Sequence, residues 1–293
     1  MNTDQTGSWT LPDEYVMLGD TVRRFMEREV RPVEERLEHD ATNLPTNELT
    51  RLQGMAREMS VWCNQSPSEY GGGGLNLLGQ CVSGVDNGAL GHPVCAHWCR
   101  WRPSRYYGFH HCSETAWYEP REDWTHACVP AVRDSFRELR DSCRGPLGEE
   151  GAGFSIAEEW LVHARVPYAA ASIGVAQAAL DLAIEWAKQR KTFGSLLSDK
   201  QAIQWMIADS EMDLQASRLL VYRAAWHGDL GRDIKIDASI AKVFATEAAG
   251  RVVDRRTQVF GAMGMTHELP LERRYRELRI RRGARALRNF SAW

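Results

Sequence analysis

The chain has 293 residues, of which 43% are hydrophobic and 26% charged, enough to bury one large core or two ordinary ones. Its formal net charge of -3 gives no global attraction to nucleic acid or to an anionic membrane surface. No apolar run is expected to span a membrane, and the opening stretch Met1 to Glu14 is polar and acidic, so the expected location is cytoplasmic.

Helical signals begin at Pro12, which suits a first turn, followed by Asp13 and Glu14 at the positive end of the helix dipole. Val16, Leu18, Val22, Phe25 and Met26 fall near one face, and Pro32 is expected to kink or end the helix. A second helix is expected from about Thr46 to Met59, with Leu49, Leu52 and Met55 inward. Gly71 to Gly74 mark a loop, since glycine inside a helix costs about 1 kcal/mol relative to alanine.

Segment 94–147 differs in kind, crowding cysteine, histidine and tryptophan together without helical or strand period. All seven cysteines lie between Cys63 and Cys143, and an odd number argues against a disulfide framework. Cys95, Cys99, His126 and Cys128 offer a zinc-site reading, although their spacing departs from the close ligand pairs of structural zinc.

The C-terminal half is regular. One helix is expected from about Ile173 to Lys191, with Ile173, Ala176, Leu180, Ala183 and Trp186 on one face. The next carries Ile203, Ile207, Ser210, Leu214, Ser217, Val221 and Ala224 in alternating steps of four and three, and Gly228 and Gly231 end it. A third runs from about Ile236 through Ile240, Val243, Phe244, Ala248 and Val252 to Val259, and a fourth starts near Leu271. Four antiparallel helices with short connections predict a four-helix bundle. The predicted organisation is mainly α: an N-terminal helical domain over 1–93, an irregular segment over 94–147 and the bundle over 148–293.

Two motifs in the bundle carry chemistry. RKTFG, Arg190 to Gly194, falls where a helix gives way to a loop and presents a guanidinium with backbone donors to an anion. QVFGAMG, Gln258 to Gly264, supplies an amide and two glycines that let a ligand approach the backbone. Arg165, in LVHARVPYAA, is a weaker single signal. The eight arginines from Arg273 to Arg288 have only Tyr275 as an interleaved aromatic and read as a structural helix rather than a phosphate patch.

In the order GEEGAGF, RKTFG, DKQAIQ, QVFGAMG, HELPLERRYRELR, this half resembles the C-terminal helical domain of the acyl-CoA dehydrogenase family. QSPSEYGGGGLNLLGQ, Gln65 to Gln80, resembles the end of that family's N-terminal helical domain. The resemblance implies a flavoprotein that uses FAD to dehydrogenate the α,β bond of an acyl-CoA thioester. It places Arg190, Thr192 and Phe193 on the pyrophosphate and ring of a flavin held with the neighbouring subunit. Gln258 and Gly261 would face its adenine and pyrophosphate half across the dimer, and Arg165 would lie near the substrate tail.

The sequence also departs from that family. Ala262 stands where a glycine is usual. The family's β-rich domain would need roughly 100 residues where about half that number stand, so it is expected to be reduced or absent. Its Thr-Glu-Pro flavin signature has only Glu119-Pro120 as an echo. No acid follows Glu277, and Ala164 fills the alternative position of the catalytic glutamate before Arg165, so the catalytic residue is unassigned. Weak FAD binding and impaired activity are therefore expected, in a homodimer or as a non-catalytic scaffold paired with a full-length relative. Thirty-one of the 36 basic residues are arginine, pointing to a GC-rich gene in which either an out-of-frame stretch or divergence would account for the departures.

Overall fold

Helix α1 (Asp13–Phe25) starts on Pro12 with Asp13 and Glu14 in its first turn. It runs into a π-turn at Met26–Val30 and then a single α-turn, α2 (Arg31–Glu34). The expected break at Pro32 thus takes the form of a wider turn just upstream, where longer-reaching bonding accommodates the ring and its missing N–H. Val22, Phe25, Met26, Val30 and Val33 are buried, but Val16 is 48% exposed rather than inward. In its first half α1 turns Tyr15 and Gly19 inward instead, and Gly19 lies so close to Asp86 that an added Cβ would sit 2.8 Å from Oδ2. Helix α3 (Thr46–Glu58) completes this core with Leu52 and Ala56, while Leu49 and Met55 pack at its edge as expected.

The computed structural model describes residues 10–37, 44–64, 66, 68, 72–88 and 153–283. The zinc-site residues Cys95, Cys99, His126 and Cys128, the Glu119-Pro120 pair and the whole 94–147 segment lie outside them. Among the described residues no cluster of His, Cys, Asp or Glu could hold a metal ion.

Helix α4 (Leu77–Gly88) has no counterpart in the sequence reading. Its local signal is Asn76, whose Oδ1 accepts from Gly79 N at 3.0 Å. A second cap comes from far along the chain: Leu77 N and Leu78 N donate to Asp229 Oδ1 and Oδ2 at 2.7 and 3.0 Å. Although α4 precedes the expected boundary at residue 93, its Leu77, Leu78, Cys81 and Val82 enter the bundle core.

Helix α5 (Gly153–Gln189) begins some twenty residues before the expected start, with Pro167 inside it. Proline marks a probable boundary, but here Val166, Ala169 and Ala170 are fully buried and packing holds the helix across it. The hairpin β1 (Lys191–Thr192) and β2 (Ser195–Leu196) and a short 3-10 turn lead into α6 (Gln201–Asp229). Helices α7 (Lys235–Phe260) and α8 (Leu271–Gly283) follow.

Contacts fix the directions. Trp186 with Phe260 and Arg165 with Ser239 make α5 and α7 parallel, whereas Met206 with Arg256 sets α6 against α7. Ser172 with Arg281 and Lys242 with Arg282 run α8 antiparallel to both α5 and α7. The four-helix bundle is up-down-up-down, as expected. Along α6 Ser210, Leu214, Ser217, Val221 and Ala224 are buried, and Ile203 and Ile207 pack against the same core.

Helix α7 spans the expected range and buries Ala248, Val252 and Val259, but its first turns depart from the sequence reading. Ile236 and Ile240 are 74% and 44% exposed, while Ala238, Ala241, Ala245, Ala248 and Ala249 are fully buried. Alanines on α7 meet Ala169, Ala176, Ala179 and Ala183 of α5 in one core, and small residues let two helices approach closely, leaving the isoleucines outside. The expectation that no stretch is apolar enough to span a membrane also needs correcting: Glu158–Gln189 of α5 is long and apolar enough by composition. In this fold that helix is the central element of the bundle, its apolar side covered by α4 and α7.

Candidate functional site

The RKTFG segment folds because α5 ends at Gln189 and the chain reverses over Phe193 and Gly194. Lys191 pairs with Leu196 and Thr192 with Ser195, and Leu197 N donates to Arg190 O at 2.7 Å to close the base of the hairpin. Both corner residues have positive φ, 53° and 83°. Such a two-residue turn favours Asn and Gly, so an aromatic at its first corner is held under strain. Phe193 is also fully exposed, with Lys200 Nζ 5.6 Å from its ring centroid.

QVFGAMG closes α7. Gln258 is exposed, Phe260 is buried, and Gly261 ends the helix at φ 63°. A Cβ added at Gly261 would meet no atom within 4 Å, so a ligand can reach the backbone there. Gly264 serves packing instead: its added Cβ would lie 2.6 Å from the Thr257 carbonyl oxygen. Ala262 is exposed.

Aromatic stacking brings the two motifs together. The Trp186 ring of α5 stacks on Phe260 with centroids 5.2 Å apart, and the Arg190 guanidinium lies over Trp186 at 5.8 Å. Arg190 and Gly261 therefore flank one aromatic platform. Thr192 Oγ1 is buried without a partner among the described residues. An exposed guanidinium, an orphaned hydroxyl, an open glycine backbone and an exposed ring suit a cofactor that carries both a phosphate and an aromatic system, as FAD does.

Arg165 lies elsewhere. At 1.5 Å per residue it is about 37 Å from Arg190 along α5. Its Nη1 donates to Ser239 Oγ at 3.3 Å. Beside it Lys242, 1% exposed, donates from Nζ to the Arg282 carbonyl at 2.9 Å. Burial, with the nearby Arg165 charge, lowers the Lys242 pKa. Arg281 stacks over Tyr168 at 5.4 Å and donates to Ser172 Oγ at 3.5 Å. Lys242 and Arg281 escaped the sequence reading because single cations in helices look like solvated surface.

Several α8 arginines serve the fold, as the sequence suggested, while Arg285 and Arg288 of that run lie outside the described residues. Arg273 and Arg274 are each 5% exposed, and Arg282 and Arg276 pair with Glu247 and Glu272 at 2.7 and 2.8 Å. Burial raises the Glu277 pKa despite the surrounding Arg281, Arg273, Arg274 and Arg276. Burial likewise pushes Arg274 down to about 10.

The α-helical bundle and the order of its two motifs place the chain in one family of helical proteins. Residues 12–93 match the N-terminal domain and residues 151–284 the C-terminal domain of acyl-CoA dehydrogenases, and the chain belongs to that family. It is 42% identical over 134 residues to the short-chain specific mitochondrial acyl-CoA dehydrogenase of Bos taurus, covering 46% of this chain and 32% of that one. To the short-chain specific enzyme of Megasphaera elsdenii it is 40% identical over 145 residues, covering 50% and 38%. The aligned stretch thus spans about a third of the length of these curated relatives. Butyryl-CoA dehydrogenase from Megasphaera elsdenii shares the fold at a TM-score of 0.70 and 21% identity, covering 97% of both chains.

Proposed function

We propose that this chain is an acyl-CoA dehydrogenase-type flavoprotein subunit that binds FAD at the Trp186–Phe260 platform and an acyl-CoA thioester near Arg165. The observation that carries the reading is the stacking that brings RKTFG and QVFGAMG to one place. The separation of about 37 Å between Arg165 and Arg190 supports sharing between subunits, since the two arginines belong to different ends of the helix.

In this reading FAD, when bound, supplies the hydride acceptor for α,β-dehydrogenation. The chain's own residues do the holding. Arg190 and the Thr192 hydroxyl would hold the pyrophosphate, Gly261 would admit it to the backbone, Gln258 would meet the adenine half, and Phe193 would contact the flavin ring shared with a second subunit. Arg165, fixed on Ser239, orients the acyl-CoA. Removing the α-proton requires a carboxylate in a dry site. Ala164 offers a methyl group, and Glu277 is enclosed by arginines of its own helix. From the lack of a free carboxylate at these two positions we infer that the chain is impaired in dehydrogenation, which favours a second role as a scaffold subunit beside a full-length relative.

Titrating FAD against the purified chain, alone and co-expressed with an intact relative, tests the reading. Binding is expected to weaken by about 1.5–3 kcal/mol in Arg190→Ala, the scale of a charge-assisted contact. Unchanged affinity would reduce RKTFG to an ordinary helix terminus. Acyl-CoA-dependent dye reduction is expected to stay at the blank for the chain alone, and measurable turnover would remove the impairment.

A further inference from the structure

Helix α7 contains a second buried cation that the proposed function does not use. Arg256 is fully buried, and its Nη2 donates to the Met206 carbonyl oxygen at 2.7 Å. Its Nε and Nη1 have no partner among the described residues. The carboxylate that meets its neighbour Arg255 is already shared: Asp213 pairs with Arg251 at 2.6 Å and with Arg255 at 2.8 Å. Among the described residues Arg256 therefore holds a positive charge in the interior with one carbonyl as its acceptor. Burial and the like charge of Arg255 push its pKa down to about 10, so it remains charged at neutral pH.

Its position gives that charge a direction. Arg256 lies one turn before Phe260 on the same face of α7, and Phe260 carries the Trp186 ring that Arg190 covers. Met206 lies early in α6, just after the hairpin that bears Thr192 and Phe193. A buried charge without a counter-ion is unfavourable until an opposite charge is brought near, and the low-dielectric interior carries its field further than water would. We propose that Arg256 is a positioning residue for the anion bound at the Trp186–Phe260 platform: its uncompensated charge raises affinity for a pyrophosphate-bearing ligand there and is itself compensated by that ligand.

This inference rests on the proposed cofactor site and makes two opposite demands on one variant. In Arg256→Met, which keeps length and removes charge, the ligand-free protein is expected to melt at or above the wild-type temperature. The same variant is expected to bind FAD, and inorganic pyrophosphate as a minimal probe, about three- to tenfold more weakly, the effect of one charge at an effective dielectric near 20. Arg256→Lys should restore most of the affinity. A ligand-free melting temperature below wild type, or failure of Arg256→Met to fold, overturns the proposal, because the guanidinium would then be holding the empty protein together. Wild-type binding that Arg256→Met leaves unchanged overturns this inference alone, whereas a wild-type chain that binds neither probe removes the cofactor site with it.

Discussion

The core around Val22, Phe25, Met26 and Leu52 is filled mainly by long side chains, whereas the contact between α5 and α7 away from the Trp186–Phe260 stack is rich in alanines. Both are buried, yet they specify structure differently. In the first, each side chain removes a large apolar area from water, and stability is spread over a few bulky residues. In the second, little area is buried per side chain, and the gain comes from the closeness of the backbones and the absence of anything to keep them apart. Burial is thus a poor guide to mutational response unless side-chain size is considered with it.

Leu52→Ala sharpens the contrast most. It should lower the free energy of unfolding by about 2–5 kcal/mol in denaturant titration, the range for a leucine cavity. A loss below about 1 kcal/mol would mean that the site collapses freely and is not packed as described. At the alanine seam the sign of the size change reverses: Ala245→Leu should cost about 1–3 kcal/mol by overpacking. If Ala245→Leu were tolerated without loss, α5 and α7 would not be in close contact at that point.

The sequence shows the helices on either side of this contrast unevenly. The alternating four-three steps from Ile203 to Ala224 were enough to place α6 and its inward face. Periodicity could not say which side of α7 faces inward, because alanine carries little hydrophobic weight and Ile236 and Ile240 carry more. The start of α5 is hard to read because Pro167 argues for a boundary that packing overrides. Helix α4 was missed because half of its cap comes from Asp229. In the site, Arg190 and Gln258 were legible from motif order, while Lys242, Arg256 and Arg281 acquire meaning only from the helices they meet.

Phe193 tests a position that belongs to neither core. Phe193→Gly relieves a positive φ in the turn and removes an exposed aromatic, so the ligand-free protein should gain about 1 kcal/mol or less. FAD binding should weaken at the same time. A variant that loses stability would show that the ring packs within its own chain.

The smallest effect is expected where α7 meets α6, at Asp237, which accepts from His227 Nδ1 at 2.7 Å and from Arg223 Nη2 at 2.9 Å. The hydrogen bond from His227, with the Arg223 charge, holds the Asp237 carboxyl below its usual value against a burial effect that raises it. A carboxyl lowered in the folded state contributes stability that is present above its unfolded pKa of about 4 and fades as pH falls through the folded value. Asp237→Asn should therefore cost about 0.2–1 kcal/mol at pH 7 and almost nothing in strong acid. An equal loss at both pH values would assign the effect to shape rather than charge.

The carboxylate of Asp229 has a consequence for chain connectivity. It meets the Leu77 and Leu78 N–H groups across about 150 residues of sequence, and Gly228 beside it leaves room for Leu77, whose Cδ2 would lie 2.8 Å from an added Cβ. With Val82 and Cys81 in the bundle core, α4 is joined to α5 and α6 by contacts that do not use the covalent link through residues 89–152. A chain cut once within that link should therefore migrate as a single particle under native conditions and separate only in denaturant, behaving as two complementary fragments with a common interior.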